Sequence, residues 1–347
     1  MAAGGYKEFV AGEVLDEDDI NDYLMQGVLV FAGTAARGSA IGTAVEGQFA
    51  FLKDSDQLTY YSGSQWQEFS TSPGSVVATG GTFGTVTVQG VEYGVHTFTS
   101  NGTVSVTAGG EIEYLIVAGG GGGSGNLKGT DGTNSILATV GTATGGGAGG
   151  DYLNVAGNTG GSGGGGGSDT GSGGTGTAGQ GNDGGRSAGS LITDRSGGGG
   201  GGAAAIGLSG GTPRAAATPQ RAGDGGAGRQ FDISGTMTYY AGGGGGGIRG
   251  STAKEPGFGG IGGGGRGGGS GFTAVAGTTN TGGGGGGGQG TADSSVAGGG
   301  GGAGGLLYGF ATIAVGDHAV TVGAGGAASE ADTRAGGSGI VIVRYPL

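Results

Sequence analysis

Glu111-Ile112-Glu113-Tyr114-Leu115-Ile116-Val117-Ala118 runs directly into Gly119-Gly120-Gly121-Gly122-Gly123. The first half is rich in β-branched and aromatic residues and reads as a strand. The second half has no side chains at all. A matching strand, Ile340-Val341-Ile342-Val343-Arg344-Tyr345, stands at the far end of the chain, beyond most of the glycine. The two strands are therefore expected to pair or pack together, with the glycine region between them as a long insertion.

Glycine supplies 105 of the 347 residues, against a usual share of about 7%. Residues 119–305 hold 79 of them, in runs such as Gly119–Gly123, Gly163–Gly167, Gly197–Gly202, Gly242–Gly247, Gly282–Gly288 and Gly298–Gly302. Collagen is excluded, because no strict third-position period exists and Pro is only 5. Two readings of the runs remain. As flexible linkers they would stay unordered, since glycine loses most entropy on folding. As polyglycine helices of polyproline-II geometry they would lack internal hydrogen bonds and have to bond one another. Similar run lengths, separated by segments with Tyr152, Leu153, Ile206 and Leu208, favour the packed helices.

Strands are expected on both sides of this region. Tyr93–Ser100 and Thr103–Ala108 flank Asn101-Gly102, a strong hairpin signal. Asn101-Gly102-Thr103 is also a glycosylation sequon, but the turn reading is preferred. Phe310–Val315 and His318–Val322 complete the β set, and His96 and His318 read as structural side chains within it. The expected architecture is mainly β plus polyglycine helices, in three parts. A small α+β module occupies 1–75, a β-sandwich 76–118 and 306–347, and the glycine-rich domain 119–305.

In the N-terminal module, Leu15–Met25 reads as a helix capped by Asp16, with Leu15 and Ile20 as a hydrophobic staple and Ile20, Tyr23 and Leu24 as its apolar stripe. Its carboxylates lack the spacing of a calcium loop. Thr34–Ala40 suggests a second short helix. Gln48–Leu52, Leu58–Tyr61 and Gln65–Phe69 suggest strands, with Trp66 as the core plug. Net charge is −12, nearly all of it contributed by the first 118 residues, and no basic patch for nucleic acid is visible.

The chemistry of an enzyme is hard to find. Cys is 0 and His only 2, so no thiolate or histidine metal centre is expected. Lys128 and Lys254 lack the phosphate-loop context. A single Gly164–Asp169 match to a calcium repeat has no second copy. Carboxylate pairs such as Asp183/Asp194 and Asp224/Asp232 are not singled out for glycoside cleavage. No enzymatic activity and no cofactor are expected. Neither a secretion-type start nor an apolar stretch of spanning length is visible.

Phe9–Met25 (FVAGEVLDEDDINDYLM) and Leu58–Trp66 (LTYYSGSQW) resemble the opening segments of minor tail and fibre-type proteins of tailed bacteriophages. Tyr114–Gly123, Val320–Gly326 and Gly336–Tyr345 resemble glycine-rich phage proteins and the polyglycine-sandwich domain of tail-fibre adhesins. The resemblance implies a virion protein made in the bacterial cytoplasm and forming a homotrimer. Other virion proteins would bind its N-terminal module through Leu15, Ile20, Tyr23, Leu24 and Trp66, and a bacterial surface receptor would bind its loops. A purely structural virion role is the alternative. Arg229, Phe231, Tyr239 and Tyr240, and then Arg249, Phe258, Arg266 and Phe272, are the receptor-contact candidates, with edge-capping of the glycine layer as the competing role for these side chains.

Overall fold

A computed structural model describes residues 28–69, 75–151, 156–168, 170–188, 195–211, 221–249, 254–269, 271–289, 297–329 and 333–347. The expected helix with Leu15, Ile20, Tyr23 and Leu24 lies outside them. The chain divides at Pro73/Gly74 into two units.

The first unit contains β1 (Leu29–Phe31), α1 (Thr34–Ala40), β2 (Phe49–Leu52), β3 (Gln57–Tyr61) and β4 (Trp66–Glu68), in one sheet ordered β1-β2-β3-β4. The short helix and the last three strands fall where the sequence places them. Strand β1, parallel to β2, was not foreseen. Among its described residues only Gly33, Ala50, Leu52 and Thr59 are buried, so this unit has little core of its own. Trp66 does not plug it. It sits half-buried on edge strand β4 with the Arg37 guanidinium 4.3 Å above its ring, while Arg37 Nη1 donates to Thr59 Oγ1 at 2.9 Å.

The second unit is mostly β-sheet outside the glycine runs. Its strands are β5 (Val77–Thr79), β6 (Thr82–Val88), β7 (Val91–Phe98), β8 (Gly102–Ala108), β9 (Gly110–Val117), β10 (Ser135–Leu137), β11 (Gly141–Ala143), β12 (Arg229–Phe231), β13 (Thr238–Tyr240), β14 (Leu306–Ile313), β15 (Gly316–Thr321) and β16 (Ile340–Pro346). Two five-stranded sheets form, ordered β11-β10-β15-β8-β5 and β14-β9-β16-β7-β6. The expected pairing of the two bracketing strands is present, with Ile340 opposite Val117 and Arg344 opposite Glu113. Strands β10 and β11 come from inside the glycine region, so the sheets draw on more of the chain than 76–118 and 306–347.

The Asn101-Gly102 hairpin does not form. Strands β7 and β8 belong to different sheets, and Asn101 Oδ1 instead accepts the Val322 N–H at 2.9 Å. The interior demands this crossing: Phe98 of β7 and Val104 and Val106 of β8 bury themselves in the same cluster from opposite sheets. A tight hairpin occurs earlier, at Gln89-Gly90, where both turn residues have positive φ (51° and 85°).

Strand β9 is buried on both faces, which explains the unbroken apolar run Leu115-Ile116-Val117 at its end. Ile112 and Ile116 pack with Val104, Val106, Leu137 and Val320 of the opposing sheet. Leu115 and Val117 face the other way, onto Ile233, Tyr240, Ala241 and Ala303.

The glycine runs are ordered by backbone hydrogen bonds between runs. Gly298, Gly301 and Gly304 donate to Gly288, Gly285 and Gly282; Gly299, Gly302 and Gly305 donate to Gly150, Gly147 and Thr144; Gly300 and Ala303 donate to Gly198 and Gly201. The partner changes at every residue and returns every third. Carbonyls of the same run accept from Gly247 and Gly244, from Ser124 and Gly121, and from Gly165 and Ser162. Residues 298–305 thus form a central rod, bonded to six surrounding segments. Side chains are excluded there: a Cβ on almost any run glycine would come within 3.0 Å of a neighbouring backbone atom.

Candidate functional site

The same hydrogen bonds fix which end of the bundle each side chain occupies. Residues 118–124 leave β9, and their direction defines near (at the sheets) and far. Residues 298–305 run back antiparallel to them, since Gly121 bonds Gly302 and Ser124 bonds Gly299. Residues 241–248 run outward, because Gly244 bonds Gly301 and Gly247 bonds Gly298. Tyr239 and Tyr240 therefore stand at the near end and Arg249 at the far end, where its N–H meets the Arg195 carbonyl at 3.1 Å. Residues 264–269 run parallel to 241–248, which puts Phe272, turned back on Gly269, at the far end too.

This placement splits the receptor-contact candidates. Arg229, Phe231, Tyr239 and Tyr240 belong to the hairpin β12–β13, which folds over the outer face of the β14-containing sheet. Tyr240 is only 4% exposed and cannot contact a receptor. Its ring is consumed by packing against the sheet residues around Leu115 and Ile342. Phe231 is half-buried, 4.7 Å from the Tyr308 ring and with Arg229 5.3 Å above it. Tyr239 alone of the two tyrosines is exposed.

Towards the far end, exposed rings carry arginines. The Arg221 guanidinium lies 3.7 Å over Phe258 while contacting Asp224 (3.4 Å) and the Pro256 carbonyl (3.4 Å). The Arg266 guanidinium lies 5.0 Å over Phe272, with Nη2 donating to the Thr273 carbonyl. Such stacks hold planar donors and apolar faces together on a stiff support. Lys128, Arg249 and Arg334 occupy the same end, half-buried, while Asp151 and Arg195 are buried there.

The carboxylates and histidines have structural duties. Asp224 accepts the Phe258 N–H at 2.7 Å and Asp183 the Gly176 N–H at 2.8 Å. Asp232 sits on the near hairpin, so it does not face Asp224 across a cleft; Asp194 and Asp169 lie outside the described residues. His96 is tied to the Gly80 carbonyl (2.7 Å) and Tyr345 Oη (2.8 Å), and His318 to Thr139 Oγ1 and the Ala314 carbonyl. No group of three potential metal ligands occurs among the described residues.

One cluster went unnoticed in the sequence. Arg344 Nε donates to Glu113 Oε2 at 2.6 Å and its Nη1 to the Asp232 carbonyl at 3.2 Å, while Tyr308 Oη donates to Glu113 Oε1 at 2.7 Å. The signal was present: antiparallel pairing of the bracketing strands brings together the one acid and one base buried in them. Partial desolvation of its hydroxyl, reinforced by the Glu113 hydrogen bond, pushes the Tyr308 phenol up to about 12. A phenol whose folded value lies above its unfolded one, near 10, stabilises the fold fully below pH 10 and loses that contribution as pH rises towards 12. Denaturation midpoints should accordingly fall less between pH 9 and 11.5 for Tyr308→Phe than for the parent chain.

Comparison with protein-family models, curated proteins and solved structures finds no match.

Proposed function

We propose that this chain is a bacteriophage virion fibre or minor tail protein whose glycine bundle is a receptor-binding adhesin. The observation that carries the reading is the bundle itself. A hydrogen-bond partner that recurs every third residue fits polyglycine-II helices in hexagonal array, set on two sheets that share a core as a sandwich does. Such an array is built from backbone-to-backbone bonds. It holds one end, with its Arg-stacked rings, at a fixed distance from the sheets, and a rigid support lowers the ordering cost of binding. The N-terminal unit, with little core of its own, suits docking onto other virion proteins. No catalytic step and no cofactor enter this reading.

The test compares the two ends. Labelled full-length chain is offered to host cells, alongside the far-end variant Arg249→Ala/Phe272→Ala and the near-end variant Tyr239→Ala. The adhesin reading expects saturable binding, reduced at least about tenfold (1.4 kcal/mol) by loss of two central contacts, with Tyr239→Ala unchanged. Absence of binding by a folded parent chain, with normal incorporation into virions, favours the purely structural role instead.

A further inference from the structure

Strand β14 closes one edge of its sheet, and its backbone directions can be read from two bonds. The Gly305 carbonyl accepts the Ala118 N–H at 3.0 Å, so odd-numbered residues of β14 turn their backbone groups towards β9. Leu306 N–H points the opposite way, to the Gln180 carbonyl at 3.0 Å. Antiparallel alternation then leaves the N–H and C=O groups of Tyr308, Phe310 and Thr312 facing outward. No backbone partner takes them up among the described residues.

Sheet edges are normally protected by charge, proline, bulges or brevity. The sequence Leu306-Leu307-Tyr308-Gly309-Phe310-Ala311-Thr312-Ile313 has no charge and no proline, and its register with β9 is unbroken. Phe310 is 63% exposed, and Tyr308 beside it is also exposed, with ring centroids 6.3 Å apart.

The geometry points to β14 as the pairing edge for a second copy of this chain, antiparallel about a twofold axis at Gly309. That axis sets Tyr308 opposite Phe310 of the other copy, and Phe310 opposite its Tyr308. Both positions turn their backbone groups outward, so they meet as hydrogen-bonded pairs with aromatic side chains across from each other. A charge-free strand opposes no like charge when it meets itself, as an isologous interface requires. The occupied Leu306 N–H falls at the end of the paired stretch and leaves the central pairs intact.

The other edge of the sheet is a poorer choice. Leu347 N–H donates to the Glu92 carbonyl, which turns even-numbered residues of β7 towards β16. Strand β6 then presents Phe83, Thr85 and Thr87 outward. Self-pairing about Thr85 would set a phenylalanine against a threonine instead of an aromatic against an aromatic.

Because Cys is 0, a single introduced thiol reports on the axis. Gly309→Cys would face its copy across a non-hydrogen-bonded pair with Cα atoms about 4.5 Å apart, within disulfide reach. Its Cβ would meet Tyr114 Oη at 3.1 Å, a small adjustment. Thr85→Cys is the control on β6. Mild oxidation of the full chain should give a covalent dimer with Gly309→Cys and none with Thr85→Cys. Phe310→Lys should halve the sedimentation mass of the parent chain, whether the halved particle is a monomer or a trimer. Equal masses for the parent and Phe310→Lys overturn the proposal, as does failure of Gly309→Cys to cross-link or cross-linking through Thr85→Cys in its place. The pairing lies at the near end of the bundle and stands or falls independently of receptor binding.

Discussion

Replacing Gly244 with valine is expected to destabilise the second unit by more than about 3 kcal/mol, above the usual 1–3 kcal/mol of an overpacked core. In an ordinary core the intruding methyl groups displace side chains, which have other rotamers. At Gly244 the Cβ would fall on the Gly285 carbonyl, with the adjoining Gly284 carbonyl carbon also close, at 3.1 Å. The obstacle is another backbone, itself bonded on both sides: Gly285 donates to Gly121 and accepts from Gly301. Relief requires moving a rod, and moving a rod breaks bonds to several neighbours. Gly301→Val, in the central rod, should behave similarly through its clash with Gly121. Gly84 on edge strand β6 has nothing within 4 Å and is the matched control, expected to accept valine without loss. Thermal and urea unfolding of the three variants checks the set. Unchanged midpoints for Gly244→Val and Gly301→Val would mean that the runs are linkers after all.

The second large effect is expected at Arg344. Its side chain and that of Glu113 are 8% and 7% exposed, joined at 2.6 Å on neighbouring strands. Arg344→Met would leave the Glu113 carboxylate buried with only Tyr308 as a donor, a change of the kind that costs about 3–5 kcal/mol. It would also release the hairpin β12–β13, which Arg344 holds through the Asp232 carbonyl. Removing both charges with Glu113→Leu/Arg344→Met should recover much of the loss, because no orphan charge remains. Urea unfolding of both variants measures the difference. A single mutant as stable as the parent would show that the pair contributes nothing net.

The strands were legible because they carry the usual signals. Glu111–Ala118 and Ile340–Tyr345 announced themselves by β-branched runs, and their pairing followed from being the two ends of one insertion. The short strands of the first unit followed from turn residues such as Ser62-Gly63-Ser64. Two local signals misled. Asn101-Gly102 has hairpin chemistry, but burying Phe98, Val104 and Val106 in one core draws β7 and β8 into opposite sheets. Trp66 is the largest apolar side chain in its module, yet it lies on an edge strand beneath Arg37.

The candidate contacts were harder, for a reason built into glycine. Amino-acid sequence alone determined that long side-chain-free runs exist, that they have similar lengths, and that strands bracket them. It left open which run lies beside which, because a backbone amide bonds any carbonyl equally well and a glycine has no side chain to mark its neighbour. That choice was made only by the tertiary structure, through the sheets that anchor residues 118 and 305 and through the segments that reverse the chain. Run direction in turn decides near from far. Tyr240, just before Gly242–Gly247 in sequence, is carried to the sheet end and packed there, whereas Arg249, just after the same run, is carried to the other.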